Sequence, residues 1–87
     1  MKVIQIKDII RKDVPIYYRM FYSGVLVLDL MNTTVERQLD FTVETMPTGV
    51  KAITAALAQP VDYPLVPLIK EIKKHINDLS DRGKLPV

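Results

Sequence analysis

Residues 15–43 contain closely spaced strand-forming segments, and their spacing constrains the fold more than any other feature of the chain. Runs 15–22 and 25–31 are separated only by Ser23 and Gly24. A two-residue connection that contains glycine is a typical hairpin signal. Residues 35–44 then alternate between apolar and polar side chains, as in a strand with one buried face. We therefore predict an antiparallel β-meander with a turn at Ser23-Gly24 and a three-residue loop at 32–34.

These connections predict which side chains face each other. The turn places Tyr18 opposite Asp29, and the loop places Asp29 opposite Arg37. A loop shorter by one residue would put Asp29 beside Glu36, a like-charge pair, so the longer loop is favoured. The face that would be covered by the core then collects Ile16, Met20, Tyr22, Val25, Val27, Met31, Val35, Leu39, Phe41 and Val43.

Residues 50–57 allow a strand or a helix. Their alanines favour a helix, whereas Val50, Ile53, Thr54 and the tight turn signal at 46–49 favour a strand. We predict a fourth strand and keep the helix as the alternative.

Residues 64–82 predict an amphipathic helix. Pro64 is tolerated in a first turn, and Arg82-Gly83 supplies a stop signal. The apolar side chains of this segment fall on one arc at helical spacing: Leu65, Leu68, Ile69, Ile72, Ile76 and Leu79.

The resulting prediction is one small α+β domain over residues 1–87, an antiparallel meander of three to four strands with a C-terminal helix on one face. It divides into an N-terminal arm (1–13), the meander (15–57), the helix (64–82) and a tail (83–87). Within the arm, residues 3–7 could form a strand and residues 8–13 one helical turn.

Composition narrows the function classes. The chain has 87 residues, 48% of them hydrophobic and 25% charged, which is typical of a globular protein. It has no Cys, which removes thiolate catalysis and Cys-ligated zinc. The first residues do not resemble a signal peptide, and no apolar run is long enough to span a membrane. We expect a cytoplasmic protein without a metal or other cofactor.

Candidate catalytic groups are sparse, so we predict that the chain is not an enzyme. His75 has only Glu71 one turn away and no second His. Glu36, Asp40 and Glu44 share a strand face, but four residues along a strand span about 13 Å. That distance exceeds the roughly 5–9.5 Å between paired glycosidase carboxylates, so a solvated acidic row is expected.

One polar cluster is more site-like, because the predicted register brings Tyr18, Asp29 and Arg37 together on an apolar face. An ion pair at the rim of the core explains this cluster. A pocket for a small anion is the alternative.

The second face of the predicted sheet supplies the main functional hypothesis. A single helix covers only one face, so large apolar side chains on the other face would form a partner surface, unless residues 1–13 cover it. We predict a non-enzymatic binding or self-associating module that forms a homodimer or binds a protein partner. The predicted interface residues are Tyr17, Arg19, Phe21, Leu26, Leu28 and Leu30.

The alternative function is binding of single-stranded nucleic acid. Tyr17 and Phe21 would stack on bases, and Arg19 would contact phosphate. The aliphatic neighbours and the acidic row argue against this alternative.

Overall fold

The chain forms a four-stranded antiparallel sheet with one helix packed against one face, in a computed structural model that describes residues 1–13 and 18–86. The strands follow one another across the sheet in chain order. The predicted α+β fold is confirmed. The elements are β1 (Lys2–Lys12), β2 (Arg19–Leu30), β3 (Thr33–Thr45), β4 (Lys51–Leu57) and α1 (Leu65–Asp81).

The predicted turn at Ser23-Gly24 is wrong, because β2 runs through both residues without interruption. Gly24 is needed for a different reason. A Cβ atom at this position would lie 3.2 Å from Ile6 Cγ2 and 3.2 Å from the Lys7 carbonyl oxygen. Glycine inside a strand often marks such a close approach of a neighbouring backbone.

The connection between β2 and β3 is also shorter than predicted. Met31 and Asn32 form a two-residue turn with φ of 47° and 68°, the positive values that a type I′ hairpin turn requires at both positions. Asp29 consequently pairs with Thr34, and Arg37 pairs with Leu26. Paired residues share a face and neighbours along a strand alternate, so Asp29 and Arg37 lie on opposite faces. The predicted pairing of these two residues is wrong.

The missing turn exchanges the two faces of the second half of β2. Leu26 and Leu28 are fully buried beneath α1, whereas Val25 and Val27 lie on the other face. The predicted core face of β3 is correct, because Leu39, Phe41 and Val43 are buried there. The core consists of Ile6, Tyr22, Leu26, Leu28, Leu39, Phe41, Val43, Leu68, Ile72 and Ile76.

The N-terminal arm is an edge strand of the sheet, and the helical turn suggested for residues 8–13 is absent from this part of the described chain. β1 pairs with β2 with two register shifts, one between Val3 and Gln5 and one between Lys7 and Ile10. Asp8 lies in the second shift with φ of 52°. Each shift adds one residue to β1 relative to β2, as a β-bulge does.

The C-terminal half follows the sequence prediction closely. β4 confirms the strand and excludes the helix for residues 51–57. In α1, Leu68, Ile72 and Ile76 are fully buried. The helix ends in a Schellman-type arrangement, in which the Gly83 amide donates to the Ser80 carbonyl and the Lys84 amide to the Leu79 carbonyl. Gly83 has φ of 66°, as expected for the residue after the cap.

Candidate functional site

The sheet face that α1 does not cover, here called the open face, carries a ladder of ion pairs. Lys7 Nζ lies 3.2 Å from the Glu36 carboxylate, and Lys12 Nζ lies 3.1 Å from Asp40 Oδ1. Both pairs join β1 to β3 across the central strand. A third pair, Arg19 with Glu44 at 2.9 Å, joins β2 to β3. The acidic row of β3 is therefore matched by cations.

The bulge in β1 makes this ladder possible. Lys7 and Lys12 are five residues apart, so a regular strand would point them to opposite faces. The extra residue between Lys7 and Ile10 restores them to the same face. Lys7 aligns with Gln38, and Lys12 aligns with Thr42, through their β2 partners. Each lysine then reaches the carboxylate two positions away on β3.

The open face is not the apolar surface that the sequence predicts. Leu26 and Leu28 are fully buried in the core, and the half-buried Leu30 packs against the same core. Phe21 is half-buried on the open face, and Arg19 is engaged with Glu44. Tyr17 lies outside the described residues. The prediction that leucines 26, 28 and 30 line the second face is wrong, because it depended on the turn at Ser23-Gly24.

The predicted polar cluster is not assembled. Tyr18 precedes β2 and accepts a hydrogen bond from the Thr45 amide through its carbonyl oxygen. Asp29 is eleven residues further along, about 36 Å in a strand. Arg37 donates to the Pro60 carbonyl through Nε at 3.3 Å and to the Glu36 carbonyl through Nη1 at 2.8 Å. It thereby ties β3 to the β4–α1 connection.

The remaining candidate groups do not converge. His75 lines an open groove between α1 and the start of β1 together with Glu71, but no hydrogen bond or ion pair joins the two in the described chain. Across residues 1–13 and 18–86, no group of three or more His, Asp or Glu side chains could hold a metal ion.

The outer edge of β4 presents unpaired backbone groups. The Ala58 amide donates to the Gln38 carbonyl at 3.1 Å, and the Met46 amide donates to the Val50 carbonyl at 2.8 Å. In an antiparallel ladder, hydrogen-bonded positions alternate. Even-numbered residues of β4 therefore bond to β3. The odd-numbered residues direct their N–H and C=O groups away from the sheet: Lys51, Ile53, Ala55 and Leu57.

The two edges of the sheet differ in how well they are protected. β1 has two bulges and several charged residues, which are features that discourage pairing with another chain. β4 is regular over its seven residues, and Lys51 is its one charged residue. Within the described part of the chain, no strand pairs with the outer side of β4. β4 is thus the edge that can accept a further strand.

An apolar groove of about 560 Å³ lies beside this edge, between the end of β4 and the start of α1. Leu65 lines it and is 63% exposed, although the sequence pattern assigns this residue to the buried arc. The next residue, Val66, is 67% exposed. The sequence signal for the groove is the run of small residues at 55–58 ahead of two prolines. The groove is lined by Ala55, Ala56, Leu57, Ala58, Gln59, Pro60, Val61, Tyr63, Leu65, Leu68 and Ile69.

Comparison with known proteins gives a family and no activity. The model of the BB_0187 family matches residues 1–81, a stretch that includes all four strands and the helix. The chain belongs to this family. The description of the family states no ligand or reaction. No curated protein and no solved structure is significantly similar to this family member.

In the described part of this family member, no helix has the length and apolar character needed to cross a membrane.

Proposed function

We propose that this chain is a non-enzymatic binding module that accepts an extended protein segment along the outer edge of β4. The observation that carries the proposal is the combination of a regular, nearly uncharged edge strand with an apolar groove beside it. Addition of a strand to an exposed sheet edge is a common mode of peptide recognition. The backbone supplies affinity, and pockets for alternate side chains supply specificity.

The geometry of the edge supports this mode. The outward N–H and C=O groups of Ile53, Ala55 and Leu57 match the repeat of an incoming antiparallel strand. Alternate side chains of that strand would lie on the face that carries α1. The groove lies on this side and is lined by Leu65, so apolar side chains of the incoming segment would be buried there.

A peptide that copies residues 50–59 of this chain is a suitable strand probe. We expect its addition to slow amide hydrogen exchange at Ile53, Ala55 and Leu57, as measured by NMR. The same peptide with proline at the position of Ala55 is the matched control, because it lacks one N–H group. Leu65→Glu in the protein should weaken binding without lowering the melting temperature, since the side chain is largely exposed. Unchanged exchange at all three amides, with protein that remains monomeric, would exclude the proposed site.

The nucleic-acid alternative has weaker support. Arg19, Lys7 and Lys12 on the open face each lie against a carboxylate, so phosphate would have to displace an existing ion pair. Titration of a labelled oligonucleotide at two salt concentrations tests this alternative. Binding that falls steeply with salt would favour it through counterion release.

A further inference from the structure

We infer that the segment accepted by β4 is the β4 strand of a second copy of this chain, paired antiparallel about a twofold axis at Thr54. The inference rests on the proposed function, because it names the occupant of the same edge. The product is a dimer with one continuous eight-stranded sheet, which is within the usual size of twisted open sheets.

The register about Thr54 satisfies every outward backbone group of β4. It places Ile53 opposite Ala55 of the second copy, and Lys51 opposite Leu57 of the second copy. These are the odd-numbered residues, whose N–H and C=O groups face outward. Each such pair exchanges two hydrogen bonds. The two Thr54 residues then form a non-hydrogen-bonded pair on the axis.

The side chains also suit this register. Lys51 is the one charged residue of the strand, and its Nζ lies 2.7 Å from Ser80 Oγ at the end of α1. The two Lys51 residues would be six positions apart along the paired strands, about 20 Å, so they do not repel each other. On the open face, the neighbours across the new junction are Thr54 with Thr54 and Ala52 with Ala56. None of these is large or charged.

The two ends of β4 complement each other. Val50, just before the strand, is 63% exposed. The register about Thr54 places it opposite Ala58 of the second copy, which lines the apolar groove. The twofold axis produces this contact twice. An exposed apolar residue at one end of the strand therefore meets an apolar groove at the other end, which is a self-complementary arrangement.

The other edge gives no equivalent pairing. A junction of β4 with β1 would be head-to-tail and would leave a new free edge at each step, so it would build an open-ended sheet. The bulges and charges of β1 oppose such a junction. Pairing of β4 with β4 closes after two copies and leaves only the protected β1 edges.

Cysteine cross-linking tests the register, because the natural chain has no Cys. In a non-hydrogen-bonded pair the Cα atoms are about 4.5 Å apart, within the range of a disulfide. We expect Thr54→Cys to give a disulfide-linked dimer under mild oxidation. Ala52→Cys and Ala56→Cys should each stay unlinked alone and should cross-link when mixed. Thr34→Cys, an exposed open-face residue of β3 away from the edge, is the control and should stay unlinked.

Sedimentation velocity of the wild type over a concentration series completes the test, and we expect a dimer. A monomer at all concentrations, with no Thr54→Cys dimer, would overturn the inference. If the peptide of residues 50–59 still bound, the proposed function would stand. Cross-linking of Ala52→Cys alone as readily as Thr54→Cys would overturn the register. A wild-type dimer with freely exchanging Ile53 and Ala55 amides would overturn both proposals, because its contact would lie elsewhere.

Discussion

Gly24 sets the distance between two strands. Its position in the middle of β2 brings the backbone of β1 close, near the bulge that contains Asp8. Sequence reasoning interprets the same glycine as a turn residue, because Ser-Gly between strand-forming runs is a common hairpin signal. Glycine permits both a turn and a close approach, and local sequence does not distinguish them.

Gly24→Ala should destabilise the fold. The new Cβ would lie 3.2 Å from a backbone oxygen of β1 and 3.2 Å from Ile6 Cγ2, and a backbone atom cannot move away easily. We expect a loss of about 1–3 kcal/mol in the free energy of unfolding, measured by chemical denaturation. Gly83→Asn is the control and should change stability little, because Asn tolerates positive φ and the site is open. Wild-type stability in Gly24→Ala would show that β1 can move away.

Tyr22 links the core to a pH dependence. Its ring stacks on Phe41 with centroids 5.1 Å apart. Burial raises the pKa of the Tyr22 phenol, and the nearby Arg11 guanidinium partly opposes this shift. The folded state therefore holds the phenol proton more tightly than the unfolded state does. The associated stability is present below the unfolded pKa of about 10 and is lost as the pH rises through the folded pKa.

Tyr22→Phe should remove this part of the alkaline destabilisation. Between about pH 9 and pH 11, the wild type should lose more free energy of unfolding than the variant does. Urea denaturation at several pH values measures the difference, and Tyr63→Phe provides a comparison at a site without Arg11. Parallel pH curves for wild type and Tyr22→Phe would contradict the assigned origin of the effect.

At the scale of elements, α1 and β4 could be predicted from the sequence, and β1 could not. The helix has a clear 3.6-residue pattern and a glycine stop, and both survive in the structure. In β1, two bulges shift the period-two alternation twice within eleven residues. The apolar and polar positions then no longer follow one strand pattern. Only the partner strand reveals the pairing.

The helix centre should carry much of the stability of the core. Ile72 and Ile76 are fully buried against the sheet, so Ile72→Ala and Ile76→Ala should each cost about 2–5 kcal/mol in the free energy of unfolding. Lys74→Ala lies on the exposed side and should have little effect. Thermal melts followed by circular dichroism measure all three variants. Near-native melting temperatures for both isoleucine variants would mean that α1 contributes little to the core.

At the scale of the whole molecule, the fold class follows from the sequence, but the location of the candidate site does not. A single wrong turn at Ser23-Gly24 exchanges Leu26 and Leu28 with Val25 and Val27, since neighbouring positions alternate between faces. The error therefore moves core leucines onto the second face. Sequence reasoning misses the β4 edge for another reason. Edge strands are defined by the order of the sheet, which depends on the pairing of β1.

The ion-pair ladder has a consequence for how the strands find one another. If β1 slipped by two residues along β2, Val3 and Ile6 would still face the core, so burial alone discriminates weakly against the slip. The slip would, however, separate Lys7 from Glu36 and Lys12 from Asp40 together. Each exposed pair contributes only about 0–1 kcal/mol, but both are lost in the same misalignment. Charge thus acts as an alignment code between strands that are not neighbours, and the bulge at Asp8 keeps its two elements in phase.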